Sequence, residues 1–451
     1  MIVIIVIVSY FFKVCYANKE VMYKISIMID FNNTKIAFAH NSTFQLRKAK
    51  IMFGLVARTW VVKISKWATK VALFLRIPMG PFVKPTIFSQ FCGGETIDEC
   101  DKTIETLGKY NVGSILDYSV EGAEDLKAHD ITAKNILGTI DKADENPNIP
   151  YAVFKITGIA RDTFLERIND RLDDLSPKDQ EEYKEVYNRI DTICGYAYKK
   201  GIPIFIDAED FCMQRAIDDF AWKMILKYNQ EKAIVFNTIQ AYRVDRFDFL
   251  QKEHRKAIKA GVHYGVKLVR GAYMEKERAR ALEYGYPSPI HKNKDATDKC
   301  FNKCMNYIVD NLEDFSLCLG THNEESTIML TQLMRERGIP INDNRIVFSQ
   351  LLGMSDHITF NLSHNGYPVA KYVPFGPVRD VMPYLLRRAE ENSSVSGQTG
   401  RELELIRYEI KRRKNKLESR KGKLEITKYN KPIKVSSTKV YSIDPDDRKA
   451  G

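Results

Sequence analysis

None of the eight cysteines of this 451-residue chain stands at C-x-x-C spacing from another, and Cys300 and Cys304 have no histidines at finger-like distances. That excludes the common zinc-finger and dithiol-redox motifs, and no metal site is expected. Several thiols sit in apolar runs such as Ser316-Leu317-Cys318-Leu319, which predicts reduced, buried cysteines of a cytosolic-type compartment. Also missing is a glycine-rich cradle after the first β-rich run, where Asp117-Tyr118-Ser119-Val120-Glu121-Gly122 stands instead. An open, doubly wound sheet built for dinucleotides would carry one there. The apolar leader, residues 1–12, lacks a cationic start and is too short to span a bilayer comfortably. With a second candidate start at Met28, residues 1–27 are read as a mis-called start or a disordered leader, a signal or anchor being the alternative.

What is present reads as folded protein, 44% hydrophobic and 28% charged. A net charge of +11 invites a nucleic-acid or membrane-surface reading, but much of the excess lies in the block opening at Lys411-Arg412-Arg413-Lys414. Residues 414–451 are therefore read as a flexible, solvated basic tail, and no nucleic-acid partner is expected. Residues 28–110 read as a helical arm. It has amphipathic runs from Phe44 to Trp60 and over 67–75, a break at Pro78-Met79-Gly80-Pro81, and a helical pattern over 96–110.

From residue 111 the texture changes to short β-branched runs at 112–116, 151–156, 203–206, 233–238, 265–269, 316–319, 345–348 and 369–373. Helical stretches such as 179–199 and 275–283 separate most of them. Apolar strands with helical crossovers mean a parallel sheet covered on both faces, and eight such units close into a (βα)8 barrel of the TIM type. The barrel is assigned to residues 111–413.

Chemistry in such a barrel gathers at the carboxyl-terminal strand ends. Reading off those positions gives Asp117 and Tyr118, Lys155, Asp207 with Glu209, Gln240, Arg270-Gly271-Ala272-Tyr273, Thr321-His322-Asn323, Gln350 and Tyr372. Each also has a bland reading. An inward lysine such as Lys155 is costly unless an anion is near, so either Asp207 or a bound substrate should pair with it. His322 could satisfy loop backbone, and Arg270-Gly271-Ala272 could be a tight turn or a place where backbone approaches a ligand. In the last helix Arg387 and Glu391 are four apart and can pair. Adjacent Arg387 and Arg388 suit a carboxylate or phosphate, or else a solvated surface.

Taken together, Phe205-Ile206-Asp207-Ala208-Glu209, Lys267-Leu268-Val269-Arg270-Gly271-Ala272-Tyr273, Thr321-His322-Asn323, Tyr372-Val373-Pro374-Phe375-Gly376 and Leu386-Arg387-Arg388-Ala389-Glu390-Glu391-Asn392 resemble, in order and spacing, the proline dehydrogenase family. Phe91-Cys92-Gly93-Gly94-Glu95 and the segment 116–122 resemble its upstream parts. The resemblance runs from about Phe31 to Arg413. It implies a distorted (βα)8 barrel, non-covalent FAD, and oxidation of L-proline to 1-pyrroline-5-carboxylate, the first step of proline catabolism toward glutamate.

By that resemblance Arg387, Arg388 and Lys155 clamp the substrate carboxylate, Tyr273 and Tyr372 wall the ring, and Asp207 lies beside the reacting amine. Ala208, Gln240, Arg270, Gly271, Ala272, Thr321 and His322 fall at flavin contacts. Lys267 stands where many bacterial relatives carry arginine near the flavin, a point charge in place of a fork. The expected electron acceptor is a quinone at a membrane surface. The expected location is the cytoplasm, peripheral on the inner membrane, or the mitochondrial matrix face. Two rivals remain. One is a hydroxyproline dehydrogenase of the same family, disfavoured by a large residue at Tyr372; the other is a non-redox Schiff-base lyase using Lys155.

Overall fold

The computed structural model describes residues 29–58, 60, 61, 64, 65, 67–69, 79–119, 126–394 and 398–420. Eight parallel strands close into a barrel in sequence order: β1 Val112–Tyr118, β2 Tyr151–Lys155, β3 Ile204–Asp207, β4 Val235–Gln240, β5 Tyr264–Val269, β6 Phe315–Gly320, β7 Ile346–Leu351 and β8 Val369–Phe375. β8 returns to β1 in a seven-residue register from Val112↔Val369 to Tyr118↔Phe375, so no edge is left open. All eight expected strands are present, and the open-sheet alternative is excluded by closure.

Several strands run further than their apolar cores suggest. β1 continues through Asp117, β4 to Gln240, and β7 through Gln350. The polar residues expected just beyond the strands are their last rungs, because each finds a buried partner and need not leave the ladder for water.

The arm begins with α1 Thr34–Ala37 and α2 Thr43–Val56. A reciprocal capping box starts α2: the Ser42 hydroxyl accepts from Gln45 N (3.2 Å) and the Gln45 side chain accepts from Ser42 N (2.7 Å). The proline-rich break is itself partly helical, since Pro81 lies in the first turn of the short helix Gly80–Val83, where a missing N–H costs nothing. The run expected over 67–75 lies mostly outside the described residues. Of the pattern over 96–110, Asp101–Gly108 forms α3.

Around the barrel follow α4 Leu126–Glu145, α5 Asp162–Asn169, α6 Pro177–Lys200, α7 Phe211–Tyr228, α8 Arg246–Ala260, α9 Met274–Tyr284, α10 Lys294–Asp310, α11 Glu324–Glu336 and α12 Asp356–His364. After β8 come α13 Met382–Ser394 and α14 Gln398–Arg420. The helix expected over 179–199 is framed by a Ser176 cap, Pro177 in its first turn and Gly201 at φ +70° past its end.

Two layers of core follow from the two-residue period of strands. Outward residues such as Ala152, Phe154, Ile204, Ile206, Val266 and Leu268 pack under the helices. Inward Ile115, Val153, Phe205, Phe236, Cys318, Val347 and Ala370 fill the barrel. Its axis is plugged by rings: Phe205 stacks on Tyr151 (4.9 Å) and meets Phe236 edge-on (5.1 Å), with Tyr372 parallel at 6.4 Å on the mouth side.

A separate cluster joins the arm (Leu46, Phe53, Phe88, Phe91) to Val381, Met382 and Leu385 of the α13 region and to Leu403 and Ile406 of α14. The arm is stitched to the mouth by backbone, Gly93 N donating to Pro374 O and Gly376 N to Gly94 O. The chain divides into the unit Met1–Ile410 and a second, Lys411–Gly451, of which residues 411–420 are described and helical.

Seven of the cysteines are described, and all are unpaired thiols. Six are buried as expected. Cys212 is half-buried and donates to Glu166 (3.1 Å). Cys15 lies outside the described residues.

Candidate active site

The same two-residue period sets the mouth. One step above inward Ile115, Val153, Phe205, Gly265 and Ala370 stand Asp117, Lys155, Asp207, Lys267 and Tyr372, facing the barrel axis on five strands. They pair among themselves. Lys155 Nζ reaches both Asp117 oxygens at 3.0 Å, and Lys267 Nζ reaches Asp207 Oδ1 at 2.5 Å. The anion beside Lys155 is thus Asp117, not Asp207. Lys155 has an inward carboxylate on either neighbouring strand, and Asp207 is taken by Lys267.

Lys267 also lies over the Tyr372 ring, 4.2 Å from its centroid, a cation–π contact on the residue expected to wall the substrate. The Tyr372 hydroxyl is buried and finds no hydrogen-bond partner among the described residues. Burial and then the Asp207 charge hold its pKa well above the usual phenol value.

Next to this layer Glu209 collects three elements. It accepts from Thr157 Oγ1 (3.0 Å) and from the Tyr273 hydroxyl (2.8 Å), and its carbonyl accepts from Gln240 Nε2 (2.9 Å). Those bonds hold Tyr273 at the mouth, with the Arg387 guanidinium 5.5 Å from its ring centroid. Arg388 is bidentate to Glu391 (2.6 and 2.5 Å) and lies over Tyr384. The acid expected to pair with Arg387 at four residues is therefore held by Arg388 at three, the other spacing that shares a helix face. Burial raises the Glu391 pKa, and Arg388 then Arg387 oppose it.

The strand ends of β5 and β6 are tied together. Arg270 donates to Asp298 (2.7 Å), Thr321 Oγ1 (2.8 Å) and Ser326 Oγ (2.9 Å). His322 Nδ1 meets Ser355 Oγ at 2.9 Å. Burial, then the charges of Lys371 and Arg388, push its pKa down to about 3, so the ring is neutral near pH 7. Gln240 Oε1 is buried and finds no donor among the described residues. Gly271 takes φ +127°, and a Cβ there would meet the Tyr242 ring at 2.4 Å, so only glycine fits. Ala208, Gly271 and Ala272 line the rim without burial.

The predicted residues thus gather at one mouth, on strand ends and on α13. Two that the sequence reading gave no role carry much of the geometry. Asp117, on the inward period of β1, anchors Lys155, and Glu209 anchors Tyr273 and Gln240.

A closed parallel barrel with charged and aromatic residues at its carboxyl-terminal mouth is an α/β-barrel enzyme scaffold. Residues 100–401 match the family model described as proline dehydrogenase. The chain is 33% identical over 414 residues to "Proline dehydrogenase 1, mitochondrial" of Arabidopsis thaliana, covering 82% of each chain. It is 33% identical over 384 residues to the protein of the same name from Dictyostelium discoideum, covering 76% of this chain and 67% of that one. In fold it is similar to proline utilization A from Bdellovibrio bacteriovorus, inactivated by N-propargylglycine, with a TM-score of 0.63 and 21% identity. That match covers 71% of this chain and 35% of the other, so the chain spans about a third of that protein's length. The chain belongs to the proline dehydrogenase family.

Proposed function

We propose that this chain oxidises L-proline to 1-pyrroline-5-carboxylate with FAD as cofactor, and that it works in mitochondria, as its relatives are named for doing. The observation that carries the reading is the buried set of paired charges (Asp117–Lys155, Asp207–Lys267) around Tyr372, beside two arginines on α13. Arg387, Arg388 and Lys155 take the carboxylate; guanidinium forks suit that group. Tyr273 and Tyr372 confine the ring. Asp207, fixed by Lys267, receives the amine and its proton, while C5 gives up a hydride and a C=N bond forms. Holding C5 in one orientation is the main contribution of these side chains.

The flavin supplies the hydride acceptor when bound. The residues fit it: among the described residues Gln240 keeps an unmet buried acceptor, and Arg270, Gly271, Thr321, His322, Ala208 and Ala272 complete the rim. The Schiff-base alternative is disfavoured because Lys155 is held by both oxygens of Asp117, whereas that chemistry needs a neutral amine. Tyr372, filling the space opposite the clamp, disfavours 4-hydroxyproline. We assign a membrane quinone as electron acceptor; no helix among the described residues is long and apolar enough to cross a membrane.

The test is colour. Purified protein should carry about one flavin per chain and bleach with proline under anaerobic conditions. A folded protein that neither carries nor takes up flavin would overturn the proposal.

A further inference from the structure

Two non-glycine residues among the described ones take a left-handed backbone, Asn111 and Ser355. Asparagine tolerates that region because its short side chain can bond locally; serine has less reason to be there. Ser355 stands at the N-cap of α12 with φ +53° and ψ +40°, yet its side chain makes no cap. A serine at that position ordinarily has an extended backbone and turns its oxygen to the helix N–H groups. Here the hydroxyl goes to His322 Nδ1 instead, 2.9 Å away.

The surroundings hold this conformation. Ser355 N donates to the buried Glu402 carboxylate (3.0 Å), and its carbonyl accepts from Ile358 N (3.0 Å) and Thr359 N (3.1 Å). Lys371 takes the residues on both sides, the Met354 carbonyl and the Asp356 carboxylate. The backbone before His322 is tied into the same loop. Thr359 Oγ1 donates to Gln350 Oε1 (2.8 Å), and Gln350 Nε2 donates to Thr321 O (3.2 Å). Both partners of the His322–Ser355 bond are thus placed from outside it.

The direction of that bond follows from its protons. The His322 ring is neutral near pH 7, so one nitrogen carries a proton and the other accepts. The Ser355 hydroxyl has one proton to give, and among the described residues its oxygen has no partner except Nδ1. If Nδ1 carried the ring proton, the hydroxyl proton would be buried without an acceptor, which costs free energy. The arrangement that uses both has Ser355 donating to Nδ1 and the ring proton on Nε2.

We infer that Ser355 is a positioning residue whose hydroxyl holds His322 as the Nε2–H tautomer, so that the ring offers a donor, not an acceptor, to the ligand at the mouth. The inference rests on the flavin reading for the identity of that ligand. A flavin nucleotide is rich in acceptor oxygens, which a donor suits. The tautomer itself is independent of that reading.

The test is nitrogen NMR of protein labelled with ¹⁵N only in histidine, with His322→Gln assigning the resonance. In the wild type His322 should show a protonated Nε2 and a bare Nδ1 at pH 7, with and without flavin. Ser355→Ala should turn it into a mixture of tautomers and weaken flavin binding by about two- to tenfold, the range for one neutral hydrogen bond. Ser355→Gly should match it in both respects but unfold at a higher temperature, because glycine takes φ +53° without a Cβ penalty. Stability then separates the two variants while tautomer and affinity do not. In a His322→Gln background, Ser355→Ala should leave flavin affinity unchanged. A wild-type His322 that is protonated on Nδ1 or already mixed overturns the inference, as does a tautomer unmoved by Ser355→Ala. So does a Ser355→Gly variant of wild-type flavin affinity, or a further loss in the His322→Gln background. If the protein takes up no flavin, the proline reading falls and the tautomer pattern alone decides this one.

Discussion

Two sets of buried charge lie within one barrel wall of each other and differ in how completely the protein satisfies them. On the outward side of β8, Lys371 is fully buried and donates to the carbonyls of Leu351 and Met354 and to Asp356. An ammonium has three protons, and all three are used. Asp356 in turn faces His40, and the neighbouring Glu402 accepts from Ser355 N while Glu324 holds His357 and Arg401. On the inward side, Lys267 has one carboxylate oxygen and the face of a ring. Burial alone does not separate a structural charge from a working one. The saturated set fixes the loop after β7, whereas the set at the mouth keeps capacity for a ligand.

The largest expected effect belongs to the saturated side. Lys371→Met leaves Asp356 buried beside Glu402, facing His40, and should cost about 3–5 kcal/mol of stability, read by denaturant unfolding. The folded fraction should keep a near-normal KM for proline. At the mouth the balance should reverse: Arg388→Met should lower kcat/KM for proline by about 2–4 kcal/mol of transition-state binding, part of it in KM. If Arg388→Met leaves kcat/KM unchanged, the comparison fails on its functional side.

Next comes substrate choice. Tyr372 leaves a 4-hydroxyl without room, at about 1–3 kcal/mol, so proline should exceed trans-4-hydroxyproline in kcat/KM by about tenfold or more. Tyr372→Ser should narrow that ratio mainly by slowing proline. Steady-state kinetics with both substrates decides it, and equal efficiencies in the wild type would reject the role of Tyr372.

The smallest effect is a slope. His322 titrates near 3 in the fold and at its usual 6.5 when unfolded, so between those values the unfolded chain binds the extra proton and stability rises with pH. His322→Gln should remove about one proton from that dependence, roughly 1.4 kcal/mol per pH unit, measured by unfolding across that range. Glu324, whose pKa is drawn down to about 2 against burial by His357 and then Arg401, should preserve a slope of the same sign at lower pH in the variant.

How far the sequence carried can be seen in β2 and α13. The eight strands were legible because their apolar runs are nearly continuous, and the mouth because polar residues cap each run. What the sequence could not say was who pairs with whom. Lys155 has an acid on either side; the register sets Asp207 opposite it, but Lys267 holds Asp207 and Lys155 goes to Asp117. Arg387 and Arg388 lie four and three residues from Glu391, and only packing against Tyr384 and Tyr273 assigned the nearer one. Asp117 was read off as a strand end, and carrying the two-residue period one step past Ile115 turns it inward beside Lys155.

The column of rings beneath the charged layer has a plain consequence for traffic. With Phe205 wedged between Tyr151 and Tyr372 and Phe236 against its edge, the barrel is a cup with a floor, not a tunnel. Whatever enters must leave by the same door. A spent molecule lingering in the cup keeps the next one out, so the product should behave as a competitor of its own precursor, and turnover should depend on how fast the rim lets go.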